Sequence, residues 1–151
     1  MMLSTFVAES NRIEGIEREP TTIEVTAHLQ LLKLDEVTID DVGGFVADIQ
    51  PGARLRNKRG MDVRVGNHVP PKGGSHIARH LEDILLAANL WRGQDEWAYK
   101  VHHLYETLHP FMDGNGRSGR ALWLWMMRGQ APLGFLHHWY YQSLQFSGRR
   151  S

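Results

Sequence analysis

Residues 109–120 read HPFMDGNGRSGR, and this stretch decides how the rest of the chain is interpreted. Its twelve positions hold one histidine, one carboxylate, one asparagine, three glycines and two arginines. A proline at 110 disfavours helical backbone at the preceding residue, so a helix that arrives from the N-terminal side ends at His109. The residues from Ser118 to Arg128 are mostly apolar and predict a buried helix. The stretch is therefore predicted to be a tight turn between two helices.

The glycines and arginines of this turn are suited to binding phosphate groups. Gly114 and Gly116 let backbone N–H groups approach an anion at the N-terminus of the following helix. Arg117 and Arg120 are three residues apart, so they share one face of the first helical turn and can contact successive phosphates. We therefore expect the turn to bind the phosphates of a nucleotide.

The carboxylate and the histidine add a metal ligand and a base. Asp113 is the only acid in the stretch, and a di- or triphosphate normally brings Mg²⁺, which keeps several waters and takes one or two carboxylates. His109 has the type of side chain whose ordinary pKa suits a general base near neutral pH. The predicted chemistry is the transfer of a phosphorus-containing group to a nucleophile.

Two other interpretations of the stretch are weaker. Residues 114–119 spell G-x-G-x-x-G, but a dinucleotide-binding fingerprint needs a preceding strand and an acidic residue about 20 positions further on. A helix is predicted before these residues, and no Asp or Glu follows Asp113. His102, His103, His109 and Asp113 can be grouped as metal ligands, but their spacing matches no known ligand pattern. We favour packing or surface roles for His102 and His103.

The chain has the size and composition of one domain. It has 151 residues, 42% of them hydrophobic, and no cysteine, which excludes disulfides and fits a reducing compartment. No apolar run approaches the roughly 18 to 20 residues of a membrane span, and the N-terminus lacks the charge pattern of a secretory signal. We expect a cytoplasmic protein whose partners include neither a membrane nor a nucleic acid.

Charge is divided unequally along the chain. Residues 1–50 carry ten acids and three bases, a net charge of −7, and residues 51–151 carry seven acids and fourteen bases, a net charge of +7. Either an anionic ligand or the acidic N-terminal segment itself can therefore bind to the C-terminal part.

Hydrophobic periodicity predicts a mainly α fold. Besides the helix after the turn, helices are expected from Ser4 to Ile13, from Thr21 or Thr22, from Thr38, from Ser75, from Asp95 to His109, and from Phe135 to about Gln145. The inward residues are expected to be Ile23, Ala27, Leu31 and Leu34 in the second helix, Val42, Phe45, Val46 and Ile49 in the third, Ile77, Leu81, Ile84, Leu85, Ala88 and Trp91 in the fourth, and Trp97, Val101, Leu104 and Leu108 in the fifth. Short β-prone pieces between Pro51 and Gly74 alternate with turn residues and predict a protruding β-hairpin.

The stretch HPFMDGNGRSGR fits every constrained position of HPFx[D/E]GNGRxxR, so the chain resembles the Fic-domain family, whose members typically transfer AMP from ATP to a protein hydroxyl group. The resemblance implies a compact helical domain with ATP as substrate and Mg²⁺ as cofactor. It also implies that His109 is the base that takes the proton from a target Ser, Thr or Tyr, and that Asp113 is the Mg²⁺ ligand.

The same resemblance assigns the phosphate contacts. It implies that Asn115 and the Gly116 amide contact the α-phosphate, that Arg117 clamps the phosphates, and that Arg120 binds the γ-phosphate. Gly116 favours transfer of a nucleotide over transfer of a phosphate, because the Doc-type toxins, which transfer phosphate and resemble the family, carry a lysine at that position.

The resemblance extends to a flap. LRNKRGMDVRVGNHVPP, within the flap segment of residues 52–72, resembles the hairpin that holds a target segment over the active site by strand addition. Lys58 and Arg59 in this segment are either contacts to an acidic target or solubilising charges, and we favour the second interpretation.

A second motif lies near the N-terminus. Residues 10–15, SNRIEG, fit the [S/T]xxxE[G/N] signature of the inhibitory helix found with many Fic proteins. The resemblance implies an inhibitory segment at residues 1–19 and a Fic domain at residues 20–151. Glu14, with Ser10 on the same helix face, would pair with Arg120 and prevent productive binding of the γ-phosphate.

These features predict a self-inhibited protein adenylyltransferase, with self-modification as a side reaction, and they leave alternatives open. Glu14 can instead position a water that removes AMP from a modified protein. A non-catalytic nucleotide-sensing adaptor domain and a Doc-like phosphotransferase are the rival functions. Tyr140 and Tyr141 are candidates for stacking on the adenine, although helix packing is the favoured interpretation.

Overall fold

The structure is a computed structural model that describes residues 3–90 and 95–127. These residues form six helices, which are α1 (Leu3–Ile13), α2 (Thr22–Leu32), α3 (Ile39–Ile49), α4 (Ser75–Asn89), α5 (Asp95–Leu108) and α6 (Asn115–Met127). The described residues contain no strand, only two isolated antiparallel bridges, and the mainly α prediction is confirmed. Trp91, Tyr140, Tyr141 and the helix predicted from Phe135 to Gln145 lie outside the described residues.

Helices α2 and α3 begin at two of the predicted threonines. Thr21 Oγ1 accepts a hydrogen bond from the Glu24 N–H (3.1 Å), and the Glu24 carboxylate accepts one from the Thr21 N–H (2.8 Å). Thr38 and Asp41 exchange the same pair of bonds, at 2.9 and 3.2 Å. Each pair is a capping box, which satisfies two backbone donors that a helix N-terminus leaves unpaired.

Two other helices begin within one residue of the predicted Ser75 and Ser4, but neither serine is the N-cap it was expected to be. The N-cap of α4 is Gly74, whose N–H donates to the Arg56 carbonyl (3.0 Å), and no side chain caps the helix there. Ser75 is therefore the first helical residue instead of the cap. Ser4 likewise lies inside α1, which has already begun at Leu3.

Helix α6 lies at the centre of the domain. It packs against α1, α2, α3 and α5, and all of its residues from Asn115 to Met127 are buried. Gly119 permits the close approach to α5, because a Cβ atom there would lie only 3.0 Å from the carboxyl group of Glu106. The central position of α6 explains why its polar first turn is buried together with its apolar remainder.

Most of the predicted inward residues are buried. The whole predicted set in α3 and the described part of the set in α4 belong to the core. In α2, however, Ile23 is 62% exposed, because Glu24 occupies the inner side, where α1 and the α1–α2 loop supply its polar partners. In α5, Trp97 and Leu104 are 44% and 52% exposed.

The inner face of α5 contains buried polar residues that the spacing of its apolar residues did not predict. Tyr105 and His102 are fully buried there, with a Tyr105 hydroxyl bond to Ser118 Oγ (2.6 Å) and a His102 Nδ1 bond to the Gly119 carbonyl (2.8 Å). These bonds to α6 explain why Trp97 and Leu104 face outward, since a polar group is buried at low cost when it has a partner.

The flap segment does not form the predicted β-hairpin. Its residues make only two bridges, Val65 with His68 in a tight turn and Leu55 with Phe111 of the turn at residues 109–120. The backbone groups that would pair across a hairpin are engaged elsewhere, because the Arg56 N–H donates to the Pro110 carbonyl (2.9 Å) and the Arg54 carbonyl accepts from the Met112 N–H (2.9 Å). Residues 54–56 thus pair with residues 110–112 instead of with a second strand of the flap segment.

Within residues 3–90 and 95–127, no helix is both long and apolar enough to span a membrane.

Candidate active site

His109 immediately follows α5 and has left-handed backbone geometry. Its φ of 53° makes it the only described non-glycine residue with a positive φ, which costs roughly 1–2 kcal/mol for an L-residue. The ring Nδ1 lies 3.2 Å from the Glu106 carbonyl oxygen. A carbonyl can only accept, so Nδ1 carries the proton and the Nε2 lone pair is the one suited to take a proton from a substrate.

Arg56 fixes the backbone around His109. Its side chain is 0% exposed, and it donates to the carbonyls of His109 (2.7 Å) and Leu108 (2.8 Å). It also donates to the carbonyls of Met61 (3.0 Å) and Pro71 (2.8 Å), which both belong to the flap segment. Burial lowers the pKa of the guanidinium. One buried cation therefore joins the flap segment to the end of α5 and the turn at residues 109–120 through four backbone acceptors.

The turn itself is braced by Asn115 and Ser118. Asn115 Oδ1 accepts from the Phe111 N–H and Asn115 Nδ2 donates to the Phe111 carbonyl, both at 2.8 Å. Ser118 Oγ donates to the Gly114 carbonyl (2.8 Å), and Gly114 has a φ of 79°, which glycine adopts without strain. Both polar ends of the Asn115 side chain are thus used by Phe111, and the expected α-phosphate contact of Asn115 stays a prediction.

The N-terminus of α6 offers backbone donors. The first backbone bond of this helix runs from the Ser118 N–H to the Gly114 carbonyl (3.0 Å). The N–H groups of residues 115–117 precede it and therefore have no carbonyl partner in the helix. Such a group of N–H donors, together with the positive end of the helix dipole, is a binding site for an anion.

Arg117 is buried at the same end of α6. Its two terminal nitrogens donate to Gln50 Oε1 (2.6 Å) and to the Ile49 carbonyl (3.3 Å), at the C-terminus of α3. Its Nε is buried and has no hydrogen-bond partner in the described part of the chain. Burial lowers the pKa of Arg117, and the carboxylates of Glu14 and Asp113 oppose that shift. An anion at the helix N-terminus would supply a partner for this buried cation.

Arg120 contacts α1 directly. Its Nη2 lies 2.6 Å from Glu14 Oε2 and 3.0 Å from the Ser10 carbonyl, and its Nε donates to Ser10 Oγ (2.7 Å). The Arg120 side chain is 1% exposed and that of Glu14 is 15% exposed. The two residues lie 106 positions apart in sequence, so the structure brings together the acid and the arginine that the two motifs had paired.

A second ion pair holds the loop after α1. Arg18 donates to both carboxylate oxygens of Glu24, each at 2.9 Å, and Asn11 Nδ2 lies 3.3 Å from the same carboxylate. The hydrogen bonds from Arg18 lower the pKa of Glu24 to about 2, against the opposing effect of burial. Glu24 therefore fixes α1 and the loop after it to the start of α2. Glu14 is the first residue of this loop.

A cavity of about 400 Å³ lies between the flap segment and the turn. It is lined by Val63, Arg64, Val65 and Gly66 of the flap segment and by His109, Met112, Asp113, Gly114 and Asn115 of the turn. Asp113 is exposed, and its Oδ1 accepts from the Gly114 N–H (2.7 Å). The cavity gives an incoming group access to the base and to the carboxylate.

The side chains present fit Mg²⁺ only as an ion that a nucleotide helps to hold. No three His, Asp or Glu side chains converge in residues 3–90 and 95–127, and Asp113 is the one carboxylate on the cavity wall. Mg²⁺ commonly takes one carboxylate together with phosphate oxygens and waters, so Asp113 suits that role. His102, which forms its bond to Gly119 away from this cavity, has the packing role favoured from the sequence.

Three polar residues beside the site were not predicted from the sequence: Arg56, Gln50 and Glu24. Arg56 belongs to a run of basic residues, and nothing local distinguishes it from its exposed neighbours. Gln50 follows α3 at a distance of 67 residues from Arg117. Glu24 stands three positions after Thr21, a spacing that indicates a capping box but not a pairing with Arg18.

Comparison with known proteins gives one family. The family model described as Fic/DOC family matches residues 25–127. Proteins named "Protein adenylyltransferase Fic" from Aedes aegypti and from Drosophila willistoni are each 32% identical to the chain, over 154 and 141 residues. These matches cover 92% and 84% of the chain but only 30% and 26% of the relatives. The chain thus spans less than a third of the length of these two relatives.

Proposed function

The chain belongs to the Fic/DOC family, and we propose that it transfers AMP from ATP to a hydroxyl group of a target protein and that α1 inhibits this activity. One observation carries the proposal. A histidine whose Nδ1–H is held by the Glu106 carbonyl, a group of backbone N–H donors and an exposed carboxylate meet at one turn, and the second arginine of that turn is bound by Glu14 of the same chain. The names of the relatives support adenylyl transfer as the reaction.

His109 acts on the acceptor in the proposed mechanism. The hydroxyl group enters the cavity and its proton passes to His109 Nε2, while Nδ1–H stays bonded to the Glu106 carbonyl. The hydroxyl oxygen forms a bond to the α-phosphorus, and the bond from that phosphorus to the bridging oxygen of the β-phosphate breaks. Pyrophosphate leaves with the electron pair of the broken bond.

The first turn of α6 holds the nucleotide. The N–H groups of residues 115–117 and the guanidinium of Arg117 bind the phosphates and stabilise the charge that grows during the transfer. Asp113 would hold Mg²⁺, which supplies further neutralisation of the phosphate charge when it is bound. Arg120 binds the γ-phosphate once it is released from Glu14.

Inhibition follows from the contacts of Arg120. Glu14 and Ser10 use the same guanidinium that the γ-phosphate needs, so ATP binds with its phosphates misplaced or does not bind. Residues 1–19 then form the inhibitory segment and residues 20–151 the catalytic domain. The same position of Glu14 beside the phosphate site supports a second direction of reaction, in which Glu14 positions a water to remove AMP from a modified protein.

The position of the radiolabel transferred from ATP tests the reaction. The Glu14→Gly variant is incubated with Mg²⁺, a cell lysate, and ATP labelled at either the α- or the γ-phosphorus. We expect protein to be labelled only from the α-position. Label from the γ-position alone would identify a phosphotransferase, and nucleotide binding without transfer of either label would identify the non-catalytic adaptor domain.

A further inference from the structure

We propose that Arg64 and the basic flap segment select acceptor segments that carry Asp or Glu next to the modified hydroxyl group. The proposal rests on the proposed function and adds the chemical class of its protein substrate. Three features of the described residues carry it: the place of Arg64 on the cavity wall, the charge of the flap segment, and the burial of Arg117 and Arg120, the cations proposed for the phosphates, away from this wall.

Arg64 and the proposed base, His109, line one cavity. Its volume is about 400 Å³, and Asp113 lines it as well. An acceptor hydroxyl must come within about 2.6–3.2 Å of the base that takes its proton, and neighbouring residues of an extended segment follow at about 3.4 Å each. The residues beside the modified one must therefore pass the wall that carries Arg64.

The backbone directly after Arg64 is anchored, while the side chain of Arg64 is exposed. Val65 is buried, and its N–H and carbonyl bond to His68 at 3.0 and 2.8 Å. His68 is held in turn by a bond between its Nε2 and the Thr107 carbonyl (2.9 Å). Arg64 itself is exposed. A fixed backbone with an accessible cation is suited to reading the charge of a bound segment.

The flap segment is strongly basic. Residues 52–72 hold six bases and one acid, and five of the six bases are exposed, namely Arg54, Lys58, Arg59, Arg64 and Lys72. The sixth, Arg56, is the buried cation that binds four carbonyls. Because the whole chain has a net charge of zero, this excess is local to the wall that an acceptor passes.

The nucleotide has other partners. Arg117 and Arg120 are buried in α6 and are not on this cavity wall, so the phosphates have their cations elsewhere. A single-stranded nucleic acid is a poorer fit for the flap segment, because residues 52–72 contain no Phe, Tyr or Trp and bases bind to such surfaces mainly by stacking on aromatic side chains. An acidic protein segment fits the observed chemistry best.

The test uses a peptide library made by proteolytic digestion of a whole proteome. The library is incubated with ATP, Mg²⁺ and full-length protein carrying Glu14→Gly, alone or combined with Arg64→Gln, Arg64→Glu or the control Arg79→Gln. Arg79 is an exposed arginine of α4 that does not line the cavity. Mass spectrometry then gives the residues that flank each modified hydroxyl.

We expect Asp and Glu to be enriched about fivefold within two positions of the modified hydroxyl, as a partly exposed ion pair allows. Arg64→Gln should abolish that enrichment, Arg64→Glu should replace it with enrichment of Lys and Arg, and Arg79→Gln should retain it. Identical flanking residues in all four proteins would overturn the proposal. So would a higher Kd for ATP in the Arg64 variants, which would assign Arg64 to the nucleotide, or modification of added RNA in place of peptides.

Self-modification separates this failure from failure of the proposed function. If the protein gains AMP but leaves every peptide unmodified, transfer stands and the selection of acidic segments by the flap segment is wrong. If neither the protein nor any peptide gains AMP, the proposed transfer itself is wrong.

Discussion

Replacing Arg56 by methionine tests how His109, the proposed base, is held. The substitution keeps an unbranched apolar side chain and removes all of the donors that reach the carbonyls of His109, Leu108, Met61 and Pro71. Four such bonds contribute about 4 kcal/mol at about 1 kcal/mol net each. Removal of a buried cation that forms no salt bridge within residues 3–90 and 95–127 offsets part of the loss, so we expect the free energy of unfolding to fall by about 3 kcal/mol.

The same variant should be slow as well as unstable. Without the bond to its carbonyl, His109 can leave the left-handed conformation, and returning to it costs roughly 1–2 kcal/mol. That cost corresponds to AMP transfer about 5- to 30-fold slower. The KM for ATP should change little, because Arg56 contacts the side of the turn that faces the flap segment and not the first turn of α6.

The assay compares variants in the Glu14→Gly background. Urea unfolding gives the free energy of unfolding, and initial rates of AMP transfer are measured at a temperature where each variant is folded. Arg56→Lys should lie between the parent and Arg56→Met, because one ammonium group cannot reach four separated carbonyls. Arg54→Met, a control at an exposed arginine of the same segment, should match the parent. If folded Arg56→Met transferred AMP at the parent rate, Arg56 would not position His109.

Three further predictions concern the surroundings of the site. The pKa of Glu24 is lowered from 4.5 to about 2 in the folded protein, so the ionised carboxylate stabilises the fold above pH 4.5 and this stabilisation is lost as pH falls from 4.5 towards 2. The free energy of unfolding, measured against pH, should therefore fall by about 2 kcal/mol in acid, and Glu24→Gln should lack this fall. Gly119→Ala should lower the free energy of unfolding by about 1–3 kcal/mol in urea unfolding, since its Cβ would lie 3.0 Å from the Glu106 carboxyl group. In the Glu14→Gly background, Gln50→Ala should raise the Kd for ATP about 3- to 10-fold by calorimetry, because Arg117 loses its 2.6 Å partner.

Each of these predictions has a contradicting result. If Glu24→Gln lost as much unfolding free energy in acid as the parent protein, the ion pair between Glu24 and Arg18 would not be the cause of the pH dependence. Wild-type stability of Gly119→Ala would mean that α5 and α6 separate without cost. An unchanged Kd for ATP in Gln50→Ala, with Arg117→Ala as the positive control, would show that Arg117 needs no orientation by Gln50.

The sequence was informative where one short segment had to satisfy several chemical requirements together. The turn of residues 109–120 was recognisable because glycine, arginine, carboxylate and histidine each have few reasons to occur at that spacing. The capping boxes at Thr21 and Thr38 were predictable for the same reason, since each depends on an acid three residues later. These features are local, and local rules describe them well.

Features that depend on distant contacts were not predictable. In the sequence Arg56 resembles its exposed basic neighbours, and only the fold places the carbonyls of Leu108, His109, Met61 and Pro71 around it. Ile23 and Trp97 have the periodicity of inward residues, but polar groups with partners on other helices occupy the inner positions. The flap segment has β-prone residues, yet its backbone pairs with residues 110–112, and nothing in its own composition indicates that partner.

The most direct test of the central claim is the intact mass of the protein after incubation with ATP and Mg²⁺. Wild type, Glu14→Gly, and the double variant Glu14→Gly, His109→Ala are compared under identical conditions. The account predicts an AMP-sized mass gain in Glu14→Gly alone, because only this protein has both a released Arg120 and an intact base. An equal gain in the wild type would contradict inhibition by Glu14, and an equal gain in the double variant would contradict the role of His109 as the base.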